Sequence, residues 1–479
     1  MKENIDKLPS PWVSAIPLVV LTLLLYAVIR AFGGGAIDGG SQIALLSATS
    51  VCVMLSIGLY RCRWSVLEEA IIENIRASAS AILILLLIGA IAGTWMISGV
   101  VPTLIYYGLK ILHPTFFLVA SCAICAIVSL MTGSSWTTIA TIGVALMGIG
   151  RAMGFPEGWV AGTIISGAYF GDKLSLLSDT TVLASSTVGV NIFTHIRYML
   201  YTTVPSMLIA LATFTVAGLT LAHGTSTHAE LYAETLASTF RISPWLLLVP
   251  LATGILIVRK LPAIVTLFCA VVFACVAMLA AQPHLVMQVG GGAELDAMTA
   301  FRGVLTTCYG HTAIPTGVAQ LDELVATRGM AGMLNTVWLI ICAMCFGGVM
   351  TGSGMLRSLT EIFLRRVRRT FSAVASTVGA GIFFNLCTAD QYISIILSGR
   401  LFRDLYAERG LEARLLSRSV EDSATVCSVL IPWNSCGMTQ ATVLGVSTFV
   451  YMPYCIFNIV SPLMSLLVAA IGWKIKKQQ

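Results

Sequence analysis

Long apolar stretches alternate with short polar ones along almost the whole chain. A helix that crosses a bilayer needs about 20 apolar residues. Uninterrupted apolar segments of this length occur near residues 12–32, 43–60, 82–101, 198–222, 261–281, 333–352 and 455–472. Further apolar segments near 115–150, 159–196, 371–405 and 420–450 are interrupted by polar and glycine-rich residues. The pattern predicts an all-α polytopic membrane protein with about 11–12 transmembrane helices.

The composition agrees with lipid as the main solvent. Charged residues make up 10% and hydrophobic residues 57% of the 479 residues, whereas a soluble domain carries roughly 25% charged residues. The net charge of +6 comes from short basic loops, and no basic tract is interleaved with aromatic residues, which excludes nucleic-acid binding. We therefore expect one transmembrane domain over residues 1–479, with the lipid bilayer as its partner.

The thirteen cysteines raise the question of a metal or redox group. Cys122 and Cys125, like Cys342 and Cys345, have CxxC spacing. Both pairs lie within apolar helical runs that have no nearby histidine cluster, where a cysteine usually serves as a small packing residue. We expect no cofactor.

Basic clusters orient the predicted helices, because cytoplasmic loops of membrane proteins are enriched in Lys and Arg. Such clusters occur at 61–76, 357–369, 400–418 and 474–477, whereas the loop at 223–243 is rich in Ser, Thr and Glu. Placing the basic clusters in the cytoplasm puts both termini on the cytoplasmic side.

This orientation predicts two re-entrant hairpins. The apolar segment between the clusters that end at 369 and begin at 400 has both ends in the cytoplasm, so it should enter the membrane and return. The segment 115–150 should do the same from the opposite side. Backbone that leaves the helix at membrane depth is tolerated only where it is buried in protein or lines a cavity. The candidate site residues at the two tips are Ser134, Ser135, Thr137, Thr388 and Asp390.

An interrupted span follows each hairpin, with breaks near 171–181 and 421–437. The order of hairpin and broken helix thus occurs twice, and matching Asp179 with Asp422 sets the halves about 243 residues apart. Opposite entry sides for the hairpins predict inverted repeats, approximately 82–222 and 333–472. Secondary transporters commonly have this arrangement.

Four aspartates are predicted to lie within the membrane, where a carboxylate costs several kcal/mol and is by default functional. They are Asp172, Asp179, Asp390 and Asp422. Nearby oxygen-bearing side chains are those of Ser178, Thr180 and Asn434. A hard cation such as sodium requires oxygen ligands of this kind. An aspartate that binds either sodium or a proton, but not both, couples their flows; Asp179 and Asp390 are the expected sodium ligands.

Structural roles compete with these assignments. Asp172 and the adjacent Lys173 could form a local ion pair at a helix end. Asp179 could be an N-cap that accepts from freed backbone amides. Asp422 follows Glu421 near a basic cluster, so a surface salt bridge is its alternative.

Motifs in both halves resemble those of NhaC-type sodium/proton antiporters. The matching runs are GAYFGDKLS at 167–175, LSDTT at 177–181, FTHIR at 193–197, TADQY at 388–392, EDS at 421–423 and LIPWNSCG at 430–437. The resemblance extends from about residue 85 to 460 and implies a secondary transporter of the ion transporter superfamily. It further implies exchange of sodium for protons in a bacterial inner membrane. Because the family also contains malate/lactate and amino-acid transporters, the resemblance leaves the substrate open.

Two hypotheses follow. The first is an antiporter that moves protons inward and sodium outward by alternating access. The second is a sodium- or proton-coupled carrier of a small organic solute, whose carboxylate the half-helix amides could bind. An intramembrane protease is disfavoured because the GxGD-like run lacks glycine at Tyr169, and neither HExxH nor GxSxG occurs. Whether the protein forms a homodimer stays open.

Overall fold

The computed structural model describes residues 8–475, apart from 33–38, 222–225, 260, 319–320, 323–324, 366 and 368. The lysines at 476 and 477, two of the arginines in the cluster at 357–369 and the first residues of the 223–243 loop lie outside the described residues. In the part that is described, the chain is helical and forms no β-strand. The predicted all-α fold is confirmed.

Sixteen α-helices lie among the described residues from 11 to 309. They are α1 Pro11–Phe32, α2 Gly40–Tyr60, α3 Trp64–Ala77, α4 Ala79–Ile97, α5 Val100–Ile111, α6 Pro114–Thr132, α7 Ser135–Thr138, α8 Val144–Ala152, α9 Glu157–Leu174, α10 Asp179–Val188, α11 Ile192–Leu221, α12 Ser226–Thr239, α13 Leu248–Val258, α14 Ala263–Ala281, α15 Pro283–Gly290 and α16 Ala297–Tyr309. The described helices of the second half are α17 Leu334–Gly352, α18 Met355–Arg365, α19 Thr370–Thr388, α20 Gln391–Glu408, α21 Ala413–Val420, α22 Ser435–Leu444, α23 Thr448–Tyr451 and α24 Ile456–Ile471. π-Helical turns occur at Ile139–Gly143 and Glu421–Thr425, and 3₁₀ turns at Pro244–Leu247, Met330–Met333, Ser428–Leu430 and Met452–Tyr454.

Eight of the described helices are long and apolar enough to cross a membrane, or up to ten if each of two bent pairs counts as one span. Two of the eight, α6 and α19, are the first helices of the interrupted segments near 115–150 and 371–405; the return helices α8 and α20 and the half-helices α9, α10, α21 and α22 are not among the eight. Large apolar side chains such as those of Leu208, Val216 and Val276 are exposed on the outer surface, as expected where lipid is the solvent. The chain is a multi-pass membrane protein.

The same succession of backbone features occurs in both halves. Helices α6 and α19 each have 19 residues. Each is followed by one left-handed residue, Gly133 with φ 67° or Ala389 with φ 57°. An extended N-cap residue comes next, Ser134 or Asp390, and begins the return helix.

The broken helices repeat in the same register. Helices α10 and α22 have 10 residues each. Ser178 and Asn434 are their N-caps. Left-handed glycines close them, Gly189 with φ 80° and Gly445 with φ 66°.

Counterparts in the two halves lie 256 positions apart, as residue 389 does from residue 133. The register of about 243 predicted from the sequence is therefore wrong: Asp179 corresponds to Ser435, and Asp422 to Ser166. Matching the two halves by sequence aligned two acidic side chains, whereas helix caps and left-handed residues define the register of the backbone. The opposite entry sides of the two hairpins stay a prediction.

Close packing holds the first hairpin against the first broken helix. A Cβ on Gly167 would lie 2.1 Å from the Cys122 carbonyl oxygen, and one on Gly171 would lie 2.2 Å from that of Ala126. Only glycine allows α6 and α9 to approach this closely. All thirteen cysteines are free, and Cys122 and Cys125 are buried within α6, in agreement with a packing role.

Candidate ion-binding site

The tip of the first hairpin contacts the end of the first broken helix through Asp172. This carboxylate is 7% exposed. One of its oxygens accepts hydrogen bonds from the Ser135 backbone amide, at 3.1 Å, and from the Ser135 hydroxyl, at 2.7 Å. Among the described residues, no Lys, Arg or His nitrogen lies within ion-pair distance of it. Asp172 is a buried carboxyl whose partners are an amide and a hydroxyl.

Asp390 occupies the corresponding junction in the second half. It is the N-cap of α20, and its Oδ1 accepts from the Ile393 amide at 3.0 Å. Its Oδ2 accepts from the Ser435 hydroxyl at 3.3 Å, and the Ser435 amide donates to the Ala389 carbonyl at 2.8 Å. Asp390 is 3% exposed, and the described ion pairs do not include it.

Equivalent hydrogen bonds tie each hairpin to its broken helix. The Ser129 hydroxyl donates to the Ala168 carbonyl at 2.6 Å, and in the second half the Asn385 amide donates to the Ala424 carbonyl at 2.7 Å. The contact between Ser135 and Asp172 likewise has a counterpart, in which the Ser428 hydroxyl donates to the Gln391 side-chain oxygen at 3.3 Å. The two junctions thus share a backbone, but the carboxyl belongs to the broken helix in one and to the hairpin tip in the other.

Asp422 has a different environment from the other aspartates. Its Oδ1 accepts a close hydrogen bond from the Lys173 ammonium, and its Oδ2 lies 3.9 Å from the Arg418 Nε. All three side chains are fully buried. Both structural alternatives predicted from the sequence are therefore wrong: Asp422 is not in a surface salt bridge, and Lys173 pairs with Asp422 rather than with its neighbour Asp172.

Asp179 is exposed at the first position of α10, and the N-cap is Ser178, whose hydroxyl accepts from the Thr181 amide at 3.3 Å. The alternative role of Asp179 as an N-cap is therefore wrong. The Ser178 hydroxyl lies 3.0 Å from that of Thr180. Thr180 in turn donates to Glu421 at 3.3 Å.

The remaining predicted residues stabilise the tips and breaks locally. The Ser134 hydroxyl accepts from the Thr137 amide at 3.2 Å and from its hydroxyl at 3.1 Å. The Thr388 hydroxyl donates to the Phe384 carbonyl at 2.9 Å. Asn434 caps α22 and donates to the Asn385 side-chain oxygen at 3.1 Å.

Sequence reasoning did not single out Lys173 or Glu421 as members of the buried site. Glu421 is fully buried and lies in a π-helical turn, a feature common at functional sites. The signal in the sequence was a pair of adjacent charged residues at each break, Asp172 with Lys173 and Glu421 with Asp422. Only the packing of the two broken helices brings one pair against the other.

The sequence profile of the Na+/H+ antiporter family matches residues 167–473. The Na(+)/H(+) antiporter NhaC of Alkalihalophilus pseudofirmus is 36% identical over 432 residues, 90% of this chain and 90% of that protein. The malate-2H(+)/Na(+)-lactate antiporter of Bacillus subtilis is 36% identical over 424 residues, 86% of this chain and 85% of that protein. The arginine/ornithine antiporter ArcD of Halobacterium salinarum is 33% identical over 416 residues, 86% of this chain and 82% of that protein. The NhaC resemblance is confirmed, and the chain, a transporter and not an enzyme, belongs to the Na+/H+ antiporter family.

Proposed function

We propose that this protein exchanges sodium ions for protons across a bacterial inner membrane by alternating access, with protons moving inward and sodium outward. Asp172 and Asp390 are the carboxyls that bind sodium or a proton in competition. The observation that carries the proposal is the buried Asp172 carboxyl, held by the Ser135 amide and hydroxyl and without a basic partner in the part of the chain that the structure describes.

The chemistry follows from burial. An ionised carboxylate removed from water without a counter-charge costs several kcal/mol, and a bound proton or a bound sodium ion would each neutralise it. Sodium is a hard cation that prefers oxygen ligands, and the Ser135 hydroxyl supplies one beside Asp172. Because one carboxylate cannot hold both cations, their flows are coupled.

The repeated backbone supports alternating access. In secondary transporters, broken helices and hairpin tips of two inverted repeats meet near the bilayer midplane, and the repeats move around the site. We infer that the halves, approximately 82–222 and 333–472, are such repeats and that both termini are cytoplasmic.

The decisive test is proton flux in proteoliposomes that hold an imposed pH gradient. Added sodium should dissipate the gradient in the wild type, and potassium at equal ionic strength should not. Asp390→Asn, which keeps the shape of the cap but removes the charge, should reduce the sodium response at least about tenfold, equivalent to 1.4 kcal/mol of lost ion stabilisation. A wild-type protein that does not respond to sodium would contradict the proposal.

A carrier of an organic solute is the second candidate. Relatives of similar identity are named for malate and lactate or for arginine and ornithine. In addition, the fully buried Gln440 side chain on α22 has no hydrogen-bond partner among the described residues for either its oxygen or its nitrogen. A buried amide left unpaired costs free energy that a polar solute would recover. A gradient that sodium alone leaves intact, but that collapses when malate, lactate or an amino acid is added, would favour this candidate.

A further inference from the structure

The Lys173 ammonium lies in a pocket that the π-helical turn at Glu421–Thr425, α24 and α11 build around it. It donates to Asp422 Oδ1 in the π-helical turn and to the Ser461 hydroxyl of α24, the latter at 3.0 Å. The centroid of the Phe457 ring, also on α24, lies 5.7 Å from its nitrogen. The hydroxyls of Thr202, on α11, and Ser461 donate to the same Asp422 oxygen, at 3.2 Å and 3.0 Å.

This pocket has the composition of a site for a monovalent cation. A carboxylate and a hydroxyl oxygen face the positive charge, and an aromatic ring lies within the range of a cation–π interaction. Lys173, Asp422, Ser461 and Thr202 are all fully buried, so water does not screen the pair. A lysine ammonium is a compact point charge on a flexible stem and fits where a small free cation would otherwise bind.

The pair also connects the two halves of the protein. Lys173 lies in the last turn of α9, the first broken helix, whereas Asp422 follows α21 in the second. Removing one partner of a buried ion pair leaves an uncompensated charge and is strongly destabilising. Separation of the two broken helices at this point would leave the Lys173 ammonium unpaired at the same cost, whereas Asp422 would stay near Arg418 of its own helix.

We propose that Lys173 is a built-in cation that permanently fills a monovalent-cation site formed by Asp422 and Ser461. Asp422 is then unavailable to transported ions, and the two broken helices move as one body. The ligand class of the site, once the lysine side chain is removed, is a small monovalent cation, with methylammonium as the closest mimic of the lysine end.

The test is chemical rescue of the purified protein, with thermal unfolding as the measurement. Lys173→Ala opens the site, whereas Lys173→Met fills it with an uncharged chain of similar length. We expect Lys173→Ala to unfold at least about 5 °C below the wild type. Methylammonium chloride should restore about half of that loss or more, in a saturable manner, and choline chloride at equal ionic strength should not, because choline is too large. The wild type and Lys173→Met should shift by less than about 1 °C with methylammonium.

Equal responses of Lys173→Ala and Lys173→Met to methylammonium would overturn the proposal. If Lys173→Ala cannot be purified, Asp422→Asn and the double variant Lys173→Met/Asp422→Asn provide the same decision. The double variant should unfold at a higher temperature than Asp422→Asn, because it no longer buries an unpaired ammonium; an equal or lower temperature overturns the proposal. No transport is measured, so a wild type that lacks sodium–proton exchange would contradict the proposed function without affecting this result.

Discussion

The hairpin and broken helix of the first half, residues 114–189, and those of the second half, residues 370–445, share a backbone but not their charges. Both contain a 19-residue helix, a left-handed turn and a capped 10-residue half-helix. At the contact between hairpin tip and break, the first half has a buried carboxyl on the broken helix, at Asp172, and the second half has one on the hairpin tip, at Asp390. Because tip and break are in contact, either element can deliver a carboxyl to the same junction.

The π-helical turns differ in a related way. In the first half the turn at Ile139–Gly143 lies in the return limb of the hairpin, whereas in the second half the turn at Glu421–Thr425 lies in the broken helix. The second turn contains two of the buried acidic residues, and the first contains none. The halves therefore repeat a scaffold but differ in where their buried acidic side chains lie.

The largest expected difference in transport is between variants of Asp172, the buried aspartate of the first half, and of Asp179, the exposed one. Asp172→Asn should lower sodium-driven proton flux at least about 100-fold, equivalent to roughly 2.7 kcal/mol, because the neutral amide cannot hold a cation. Asp179→Asn should lower it by less than about threefold, since that side chain is exposed. The measurement is the flux assay in proteoliposomes at matched protein content. If Asp179→Asn is as inactive as Asp172→Asn, Asp179 is the sodium ligand that the sequence suggested.

The two left-handed turns should respond differently when glycine and alanine are exchanged. Gly133→Ala places a Cβ 2.6 Å from the Leu177 backbone carbon and forces alanine into a left-handed conformation, so we expect a loss of about 3 kcal/mol of stability. Ala389→Gly relieves about 1 kcal/mol of backbone strain but adds a similar conformational entropy cost, so it should be nearly neutral. Thermal unfolding of the purified variants measures both. Similar losses at the two positions would contradict the correspondence between the tips.

The matched hydrogen bonds of the two halves should differ modestly. Ser129→Ala removes one bond to the Ala168 carbonyl, and we expect a loss of about 1 kcal/mol. Asn385→Ala removes the bond to the Ala424 carbonyl and the one that the Asn434 side chain donates to the Asn385 side-chain oxygen, so about 2 kcal/mol is expected. The same unfolding assay applies. A larger loss for Ser129→Ala would show that the first junction, not the second, depends more on this contact.

Much of the fold was predictable because lipid imposes a simple rule on sequence. A segment without water must satisfy its backbone internally, so apolar stretches of spanning length become helices. The tip at 385–391 was predicted from polar residues between two basic clusters, and the tip at 132–138 from the polar run within the segment 115–150. The structure turns at Gly133 and Ala389. The repeat register was not predictable, because a left-handed alanine and a left-handed glycine give no common residue signature.

The candidate site, like the fold, was predictable from the sequence only in part. Carboxyls within an apolar chain stand out in the sequence, and Asp172, Asp179, Asp390 and Asp422 were singled out on that basis. Whether each has a basic partner depends on residues far away in the chain. Lys173 contacts Asp422, which lies 249 positions away, and no local sequence pattern predicts that contact.

The sequence by itself thus determined that lipid surrounds the protein, that the fold is helical and which family it resembles. It also identified the acidic residues expected within the membrane. Only the tertiary structure decided which of these carboxyls has an ammonium partner, which caps a helix and which contacts hydroxyl and amide groups alone. The physical reason is the distance along the chain over which each property is decided. Helix formation and membrane insertion depend on neighbouring residues, whereas the charge balance of a buried group depends on the few side chains that packing brings within about 4 Å.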